Sequence, residues 1–379
     1  MNLDRVKRRF EYGWSQIPRY IFSIFYTRPK LMVDLFLHPA QYVDQTYFPE
    51  KQRKGKIRIF TERIWNIIRH SDIDEYYFMY GLDVKREVKN SDYVLYRDFL
   101  LRRDYLNLFE RHNDSAILRN KLFFEAVARI LGIDTPRNIA YSDNGRLTLI
   151  KTQSSVKIGW AEFLNILDDA VIYVKPIDGE CGSGIRKLEV RSHEIYHREE
   201  KLSTDHLQDM FGKGRYIFQE ALKQHSEMNR LYPLSVNTIR MITVRNPKTN
   251  EIEILPPTLR IGAHGNYVDN FSQGGVIVAM DTESGKLSEW GFYKPLYGFK
   301  GTEHPDTKIR FETFEVPYFK EAKEMARYFH SFLNLHSIGW DIAISENGPV
   351  FIEGNDNWEV NLPQTFENPF KKEFKRLFY

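Results

Sequence analysis

One cysteine, Cys181, is all that the 379 residues contain. No disulfide can therefore form within the chain, and a reducing cytoplasm is the compartment that fits. Long apolar runs are missing as well. The basic cluster Arg5, Lys7, Arg8 and Arg9 is followed by an apolar stretch, residues 21–26, that stops at Thr27-Arg28-Pro29-Lys30. That is too short for a membrane span or the core of a signal peptide. The expectation is a soluble protein with no transmembrane segment, attached at most to a membrane surface. An excess of one charge is also lacking: 54 Lys and Arg against 51 Asp and Glu leave a net charge of +3, which gives no reason to expect a nucleic-acid partner. No His or Cys pairing has zinc spacing, and no Ser, His and Asp have the spacing of a hydrolytic triad. Internal repeats and low-complexity tracts are absent.

What remains is the composition of an ordinary globular protein, 42% hydrophobic and 28% charged, with an aromatic content of 15% that serves either large cores or ring-lined grooves. The length exceeds one domain and predicts two or three packed lobes. Residues 1–112 mix apolar and charged residues at helical spacing, with helices expected over 62–68 and 96–109, and read as a mostly helical lobe. Leu118, Leu122, Phe123, Ala126, Val127, Ile130 and Leu131 form an apolar stripe that predicts one helix over 115–131, with Gly132 as its cap and Pro136 beyond.

From residue 147 on, strand signals dominate. Runs at 170–174 and 185–190 flank Asp178-Gly179-Glu180-Cys181-Gly182-Ser183-Gly184, which reads as strand, glycine loop, strand. Further strands are expected at 215–221, 238–244 and 251–255, and a pair at 275–280 and 286–291. A helix over 318–333 precedes a hairpin with strands at 339–344 and 350–354. Grouped strands with interspersed helices indicate an α+β fold with several antiparallel sheets. The expected organisation is a helical lobe at 1–112, a linking region at 113–172, a small lobe with the glycine loop at 173–222 and a large lobe at 223–379.

The strongest chemical signal is Trp340-Asp341-Ile342-Ala343 followed by Phe351-Ile352-Glu353-Gly354-Asn355. Residues two apart on a strand face the same side, so Glu353 and Asn355 point together, and a hairpin can bring Asp341 opposite them. Two carboxylates and an amide oxygen make a hard-oxygen site suited to magnesium. Flanking Ile338, Ile342, Val350 and Ile352 indicate a buried sheet rather than a solvated strand face. A second signal is Lys175, leaving a strand just before the glycine loop. Such a lysine reaches phosphate while glycine N–H groups approach phosphate oxygens closely; a mobile hairpin tip with Ser183 as a plain loop residue is the alternative. The pattern is neither a Walker A motif nor a Rossmann fingerprint. A third is Asn237-Thr238-Ile239-Arg240, where alternation sets Thr238 and Arg240 on one face and Asn237 and Ile239 on the other. Arginine's planar fork suits phosphate or carboxylate. Arg260, Asp269, Asn270, Gly274 and Gly275 form a fourth cluster, read either as an approach to substrate or as an ordinary turn.

In this order the residues resemble the ATP-grasp superfamily, most closely its sugar-transfer-associated branch. The resemblance covers residues 113–361, with Tyr80-Gly81-Leu82-Asp83 extending it less specifically into the N-terminal lobe. It implies two antiparallel-sheet lobes clasping ATP, with magnesium held by Asp341, Glu353 and Asn355. Two lysines that hold ATP phosphates are matched by Lys121, after Asn120, and by Lys175, and the glycine loop by Gly182, Ser183 and Gly184. The hinge strand that presents backbone to adenine is similar to the segment with Gln219, Glu220, Ala221 and Leu222. Glu227 is the candidate for the ribose hydroxyls, with His225 and Glu220 competing. Arg240 matches the phosphate-stabilising arginine, within Ser235-Val236-Asn237-Thr238-Ile239-Arg240; Val268-Asp269-Asn270-Phe271 with Gly274-Gly275 is similar to the branch too. Asn237, Arg260, Asp269, Asn270, Gly274 and Gly275 are thus the acceptor candidates. Cys181 in the glycine loop and Asp356-Asn357-Trp358 after the acidic pair depart from the pattern. The activity implied is ADP-forming joining of a carboxylate, small or glycan-linked, to an amine, with arginine and lysine (Arg240, Lys175) acting on the reacting groups. Phosphoryl transfer to a hydroxyl and a non-catalytic nucleotide-binding scaffold are the rival expectations.

Overall fold

The computed structural model describes residues 17–18, 20–110, 114–151, 154–167, 169–179, 184–365 and 368–379. Two eight-stranded antiparallel sheets organise them. The first is made from β1 (Asn138–Asp143), β2 (Arg146–Ile150), β3 (Ser155–Ile158), β4 (Ala170–Pro176), β5 (Arg186–Arg191), β6 (Glu194–His197), β7 (Glu200–Leu202) and β8 (Arg215–Glu220), in the order β3-β2-β1-β8-β4-β5-β6-β7. The second contains β9 (Thr238–Arg245), β10 (Ile252–Ile254), β11 (Thr258–Ile261), β12 (Val276–Met280), β13 (Leu287–Phe292), β14 (Lys300–Gly301), β15 (Ser337–Ser345) and β16 (Gly348–Asn355). Its order is β14-β13-β12-β11-β9-β15-β16, with β10 added on β9.

Alternation decides what each face does. On β15, Ile338, Trp340, Ile342 and Ile344 are fully buried in a core shared with the helix Phe319–Phe332, where Trp340 and Phe329 stack at 4.8 Å. Asp341 points the other way. On β9, Ile239 and Met241 enter that same core, whereas Ile242 and Val244 pack on the opposite face beneath Trp358 and the helices Tyr96–Asp104 and Lys371–Phe378. Arg240 lies on this second face. In the first sheet Ile172 and Val174 of β4 join Trp160, Phe163 and Phe211 in a core, leaving Tyr173 and Lys175 to face outward.

The helical N-terminal region is not packed as an island. Its buried rings share a core with β12 and β13 through Ile277 and Phe292. Tyr47 stacks on Phe292 at 5.7 Å and donates a 2.7 Å hydrogen bond to the Tyr293 carbonyl.

One expected helix is two. The stripe over 115–131 is interrupted at Asn120, with helices at Ser115–Arg119 and Lys121–Ile130 on either side. Asn120 is extended, and its Oδ1 accepts from the N–H groups of Leu122 and Phe123 at 3.0 and 3.3 Å. The side chain competes with the helical ladder for those donors and becomes an N-cap. After the break the buried face is Phe124, Glu125 and Ala128, whereas Phe123, Ala126 and Ile130 of the expected stripe are exposed, because the new helix starts in a different rotational phase.

Candidate active site

A cleft is lined from both sheets. Tyr173, Lys175, Gln219, Glu220 and Leu222 come from the first; Thr238, Arg260, Asp341, Ile352 and Glu353 come from the second. Lys121, Gly179 and the segment 267–270 complete it. Three cationic side chains, Lys121, Lys175 and Arg260, and four carboxylates, Glu220, Asp269, Asp341 and Glu353, therefore line one cleft.

The acidic pair owes its geometry to strand register. Asp341 on β15 stands directly opposite Glu353 on β16, with a bulge immediately after, as the hairpin predicted. Arg240 lies across from Asp341 on β9 and approaches it side-on, Nε to Oδ1 at 2.7 Å and Nη2 to Oδ2 at 3.2 Å. Arg260 donates to Asp341 Oδ2 at 3.0 Å and to Asp269 Oδ1 at 3.0 Å, and also bonds Asn270. Thr238 donates to the other oxygen of Asp269. Burial pushes the Asp341 carboxyl up to about 6, against the pull of Arg240 and Arg260 and with Glu353 adding to the push. Burial acts on Glu353 in the same sense. There the Lys121 charge, the Asn355 amide and Arg240 outweigh it and hold the carboxyl below its ordinary range.

The opposite wall carries the lysines. Lys121 opens its helix at the Asn120 cap, and its Nζ donates to the Gly179 carbonyl at 2.6 Å. Lys175 Nζ donates to Gln219 Oε1 at 2.7 Å. Gln219 in turn donates to Asn138 Oδ1 at 2.9 Å, Asn138 donates to Glu125 Oε2 at 2.8 Å, and Arg129 donates to Glu125 Oε1 at 3.1 Å. This chain of bonds fixes the Gln219 amide with its oxygen toward Lys175. Burial pulls the Lys175 ammonium down to about 8, opposed by Glu353 and reinforced by Lys121.

Magnesium can be tested against this donor set. Among the described residues no group of three or more His, Cys, Asp or Glu is arranged for a metal, so the donors are two carboxylates and an amide. Asp341 Oδ1 is buried and accepts no well-directed hydrogen bond. Glu353 is hydrogen-bonded both to Asp341 and to Asn355, whose Nδ2 lies 3.2 Å from Glu353 Oε1. Adjacent buried carboxylates with a spare oxygen are chemistry that a hard dication stabilises, and magnesium needs few protein ligands because water and phosphate oxygens complete its shell. The residues fit.

Other expected positions fall elsewhere. Asn237 is fully buried off the cleft, its amide donating to the Met228 and Tyr232 carbonyls at 3.1 and 2.9 Å; it pins a turn and is not available to an acceptor. Gly274 and Gly275 do not line the cleft. A Cβ on Gly275 would lie 2.5 Å from the Asp269 carbonyl oxygen, and Gly274 has φ +95° against the Tyr297 ring, so the pair lets the 269–270 segment turn inward. Glu227 sits on the short helix Ser226–Leu231, about half exposed and paired with Arg230 at 2.9 Å. Glu220 lines the cleft and Glu227 does not. Ala221 spends its N–H on the Val171 carbonyl at 3.0 Å. Gly184, in the left-handed region at φ +74°, lies in the turn two residues before the return strand β5; Gly182, Ser183 and Cys181 lie outside the described residues. Asn138, Glu125, Tyr173 and Tyr267 were not foreseen. Only the alternation of Tyr173 with Val174 carried a signal, since the others arrive through long-range packing.

A family model described as sugar-transfer associated ATP-grasp matches residues 100–371. No match was found among curated protein sequences. Among solved structures, the ATP-grasp ligase PsnB complexed with minimal precursor, Mg and ADP is similar at 14% identity and a TM-score of 0.34, over 64% of this chain and 52% of that one. D-alanine–D-alanine ligase from Bacillus anthracis complexed with ATP is similar at 13% identity and a TM-score of 0.36, over 69% and 65%. An ADP complex of N5-carboxyaminoimidazole ribonucleotide synthetase gives 10% and 0.37, over 65% and 46%. The chain spans between about half and two thirds of the length of these structures.

Proposed function

The chain belongs to the sugar-transfer-associated ATP-grasp family, and from that premise we propose that it uses ATP to activate a carboxylate and join it to an amine. The observation that carries this reading is the meeting of Lys121 and Lys175 on one wall with Asp341, Glu353 and Arg260 on the other, in a single cleft, with Arg240 paired to Asp341 behind it. The nucleotide lies in that cleft with Leu222 and Tyr173 near its base and Glu220 near its ribose. Lys121 and Lys175 exchange their present partners, the Gly179 carbonyl and Gln219, for phosphate oxygens. Magnesium, held by Asp341, Glu353 and Asn355, supplies charge neutralisation at the phosphates.

A carboxylate oxygen of the first substrate attacks the γ-phosphorus and ADP leaves, giving an acyl phosphate. The amine nitrogen then attacks the acyl carbon, loses a proton, and inorganic phosphate departs. Arg240 and Arg260 stand where negative charge develops, and such fixed donors act strongly in a buried site. Gln219, locked by Asn138, keeps Lys175 in place without reorganisation at the moment of reaction. The family's description, sugar-transfer associated, supports a sugar among the substrates; we take the first substrate to be a carboxyl-bearing sugar and the second an amino acid, in surface-polysaccharide biosynthesis. The single cysteine is compatible with work in the cytoplasm.

Paired uronic acids and amino acids, supplied with magnesium and ATP, test the reading through ADP release, phosphate release and product mass. The expected product is an amide formed with loss of one water. A stable phosphate monoester without amide would make the protein a phosphotransferase, and silence across the panel would leave a nucleotide-binding scaffold.

Nucleotide binding should also depend on Lys175. Its ammonium titrates near 8 in the nucleotide-free protein, and phosphate anions beside it raise that value. The attraction is complete below pH 8 and fades as pH rises through the nucleotide-bound value, so affinity falls in alkali and binding takes up a proton there. Calorimetry near pH 8.5 in two buffers of different ionisation enthalpy should reveal that uptake, and Lys175→Met should abolish it. Equal proton uptake by parent and variant would refute the assignment.

A further inference from the structure

Large apolar side chains are exposed in unusual concentration at the N-terminal end of the molecule. Phe22, Phe25 and Tyr26 are 58%, 79% and 54% exposed, and Phe36 and Leu37 follow at 61% and 69%. They lie on the helical stretch that runs through the π-helical turn Ser23–Thr27 into the helix Arg28–Leu37. The other side of that stretch is anchored: Ser23 and Leu35 are buried, Ser23 Oγ lies 2.7 Å from Ser71 Oγ, and Arg28 Nε donates to Ser71 Oγ at 2.8 Å. The helix Lys56–His70 packs alongside, with Phe36 and Phe60 in contact at 5.3 Å. It adds Ile57, Trp65 and Ile68, at 82%, 58% and 48% exposure, spaced along its own outward stripe. Contiguous apolar surface of this kind marks an interaction site.

Charge narrows the occupant. Between Glu11 and Asp34 the sequence has no acidic residue, while Arg19, Arg28 and Lys30 fall within that stretch; Arg5, Lys7, Arg8 and Arg9 precede it, between Asp4 and Glu11. On the described part of the face Asp34 is tied to His38 and Tyr42, and Glu62 to Lys54 and Arg58. A two-fold contact between copies of this face would bring Arg28 and Lys30 toward carboxylates already engaged within their own chain. Rings that seat at headgroup level beside cations suit an anionic lipid surface. No helix among the described residues is long and apolar enough to cross a membrane, so the element lies on the surface and does not span it. We propose that this face docks the protein on anionic membranes, independently of the reaction in the cleft.

The full-length chain is mixed with vesicles of phosphatidylcholine alone or of phosphatidylcholine with phosphatidylglycerol, and sedimented. It should pellet with the anionic vesicles and much less with the neutral ones, and high salt should release part of it. Phe25→Asp with Leu37→Asp changes two highly exposed positions and should lower binding at least about tenfold with an unchanged thermal transition. Ile130→Asp, equally exposed but on a distant helix, should bind as the parent does. The proposal fails if the parent stays in the supernatant, or if the double variant pellets equally well. It also fails if light scattering finds a dimer that the double variant dissociates while vesicles bind neither protein.

Discussion

Glu353→Gln is expected to lower ATP turnover on the order of 100-fold or more while leaving the protein folded. The substitution preserves shape and a hydrogen bond to Asn355 but removes the carboxylate that faces Lys121 and adjoins Asp341. Two changes in stability oppose each other: attraction to the buried lysines is lost, and so is repulsion from a neighbouring buried carboxylate. The melting temperature without nucleotide should therefore stay close to the parent's. A non-hydrolysable ATP analogue with magnesium should raise the parent's melting temperature and raise the variant's much less. That second reading separates loss of nucleotide and metal binding from loss of a chemical step. Turnover within a few-fold of the parent would remove Glu353 from the machinery and take the proposed magnesium site with it.

Arg260→Met should be the most destabilising single change in the cleft, by about 3–5 kcal/mol, the range found when one partner of a buried ion pair is removed. Arg260 bridges Asp341 and Asp269 and bonds Asn270, and all four groups are buried or nearly so. The surrounding carboxylates more than offset its burial and hold it charged. Without it, Asp269 keeps only Thr238, and Asp341 keeps Arg240. The pH dependence follows from the sign of the Asp341 shift. Its carboxyl titrates near 6 in the folded chain, above an ordinary value of about 4, so stability associated with it is present at low pH and lost as pH rises through 6. Removing Arg260 raises that value further, and the deficit should therefore be larger at pH 8 than at pH 5. Urea unfolding at both pH values measures it. A deficit that shrinks toward pH 8 would contradict the assigned pairing.

The acidic hairpin was legible in outline. Apolar alternation fixes the face of Asp341, and the Ser345–Gly348 turn sets the pairing as far as Ile342 and Phe351; the bulge after Asp341, which no local signal announces, then shifts the register by one and sets Asp341 opposite Glu353. The same logic delivered Lys175 before the glycine loop and Arg240 beside Thr238. Contacts that depend on which distant elements meet were not legible. Nothing local announces that Gln219 will be oriented by Asn138 and Glu125, because each is an ordinary polar residue until β1 pairs with β8. Asn237 illustrates the converse. Its face was correctly read as opposite to Arg240, yet the motif around it suggested an acceptor contact, and packing gave its amide to two backbone carbonyls instead. Asn120 shows how an i+2 side-chain bond can split a stripe that periodicity alone reads as continuous.

The shared packing of Tyr47, Phe48 and Tyr80 with Ile277 and Phe292 bears on how this polypeptide can be dissected. The family match begins at residue 100, but the folded molecule has no seam there. A fragment trimmed to that limit would bare the underside of β12 and β13, strands whose neighbour β11 carries Arg260. Melting of the N-terminal helices is therefore expected to loosen the cleft as well, and agents that grip the former would have mechanical leverage over the latter.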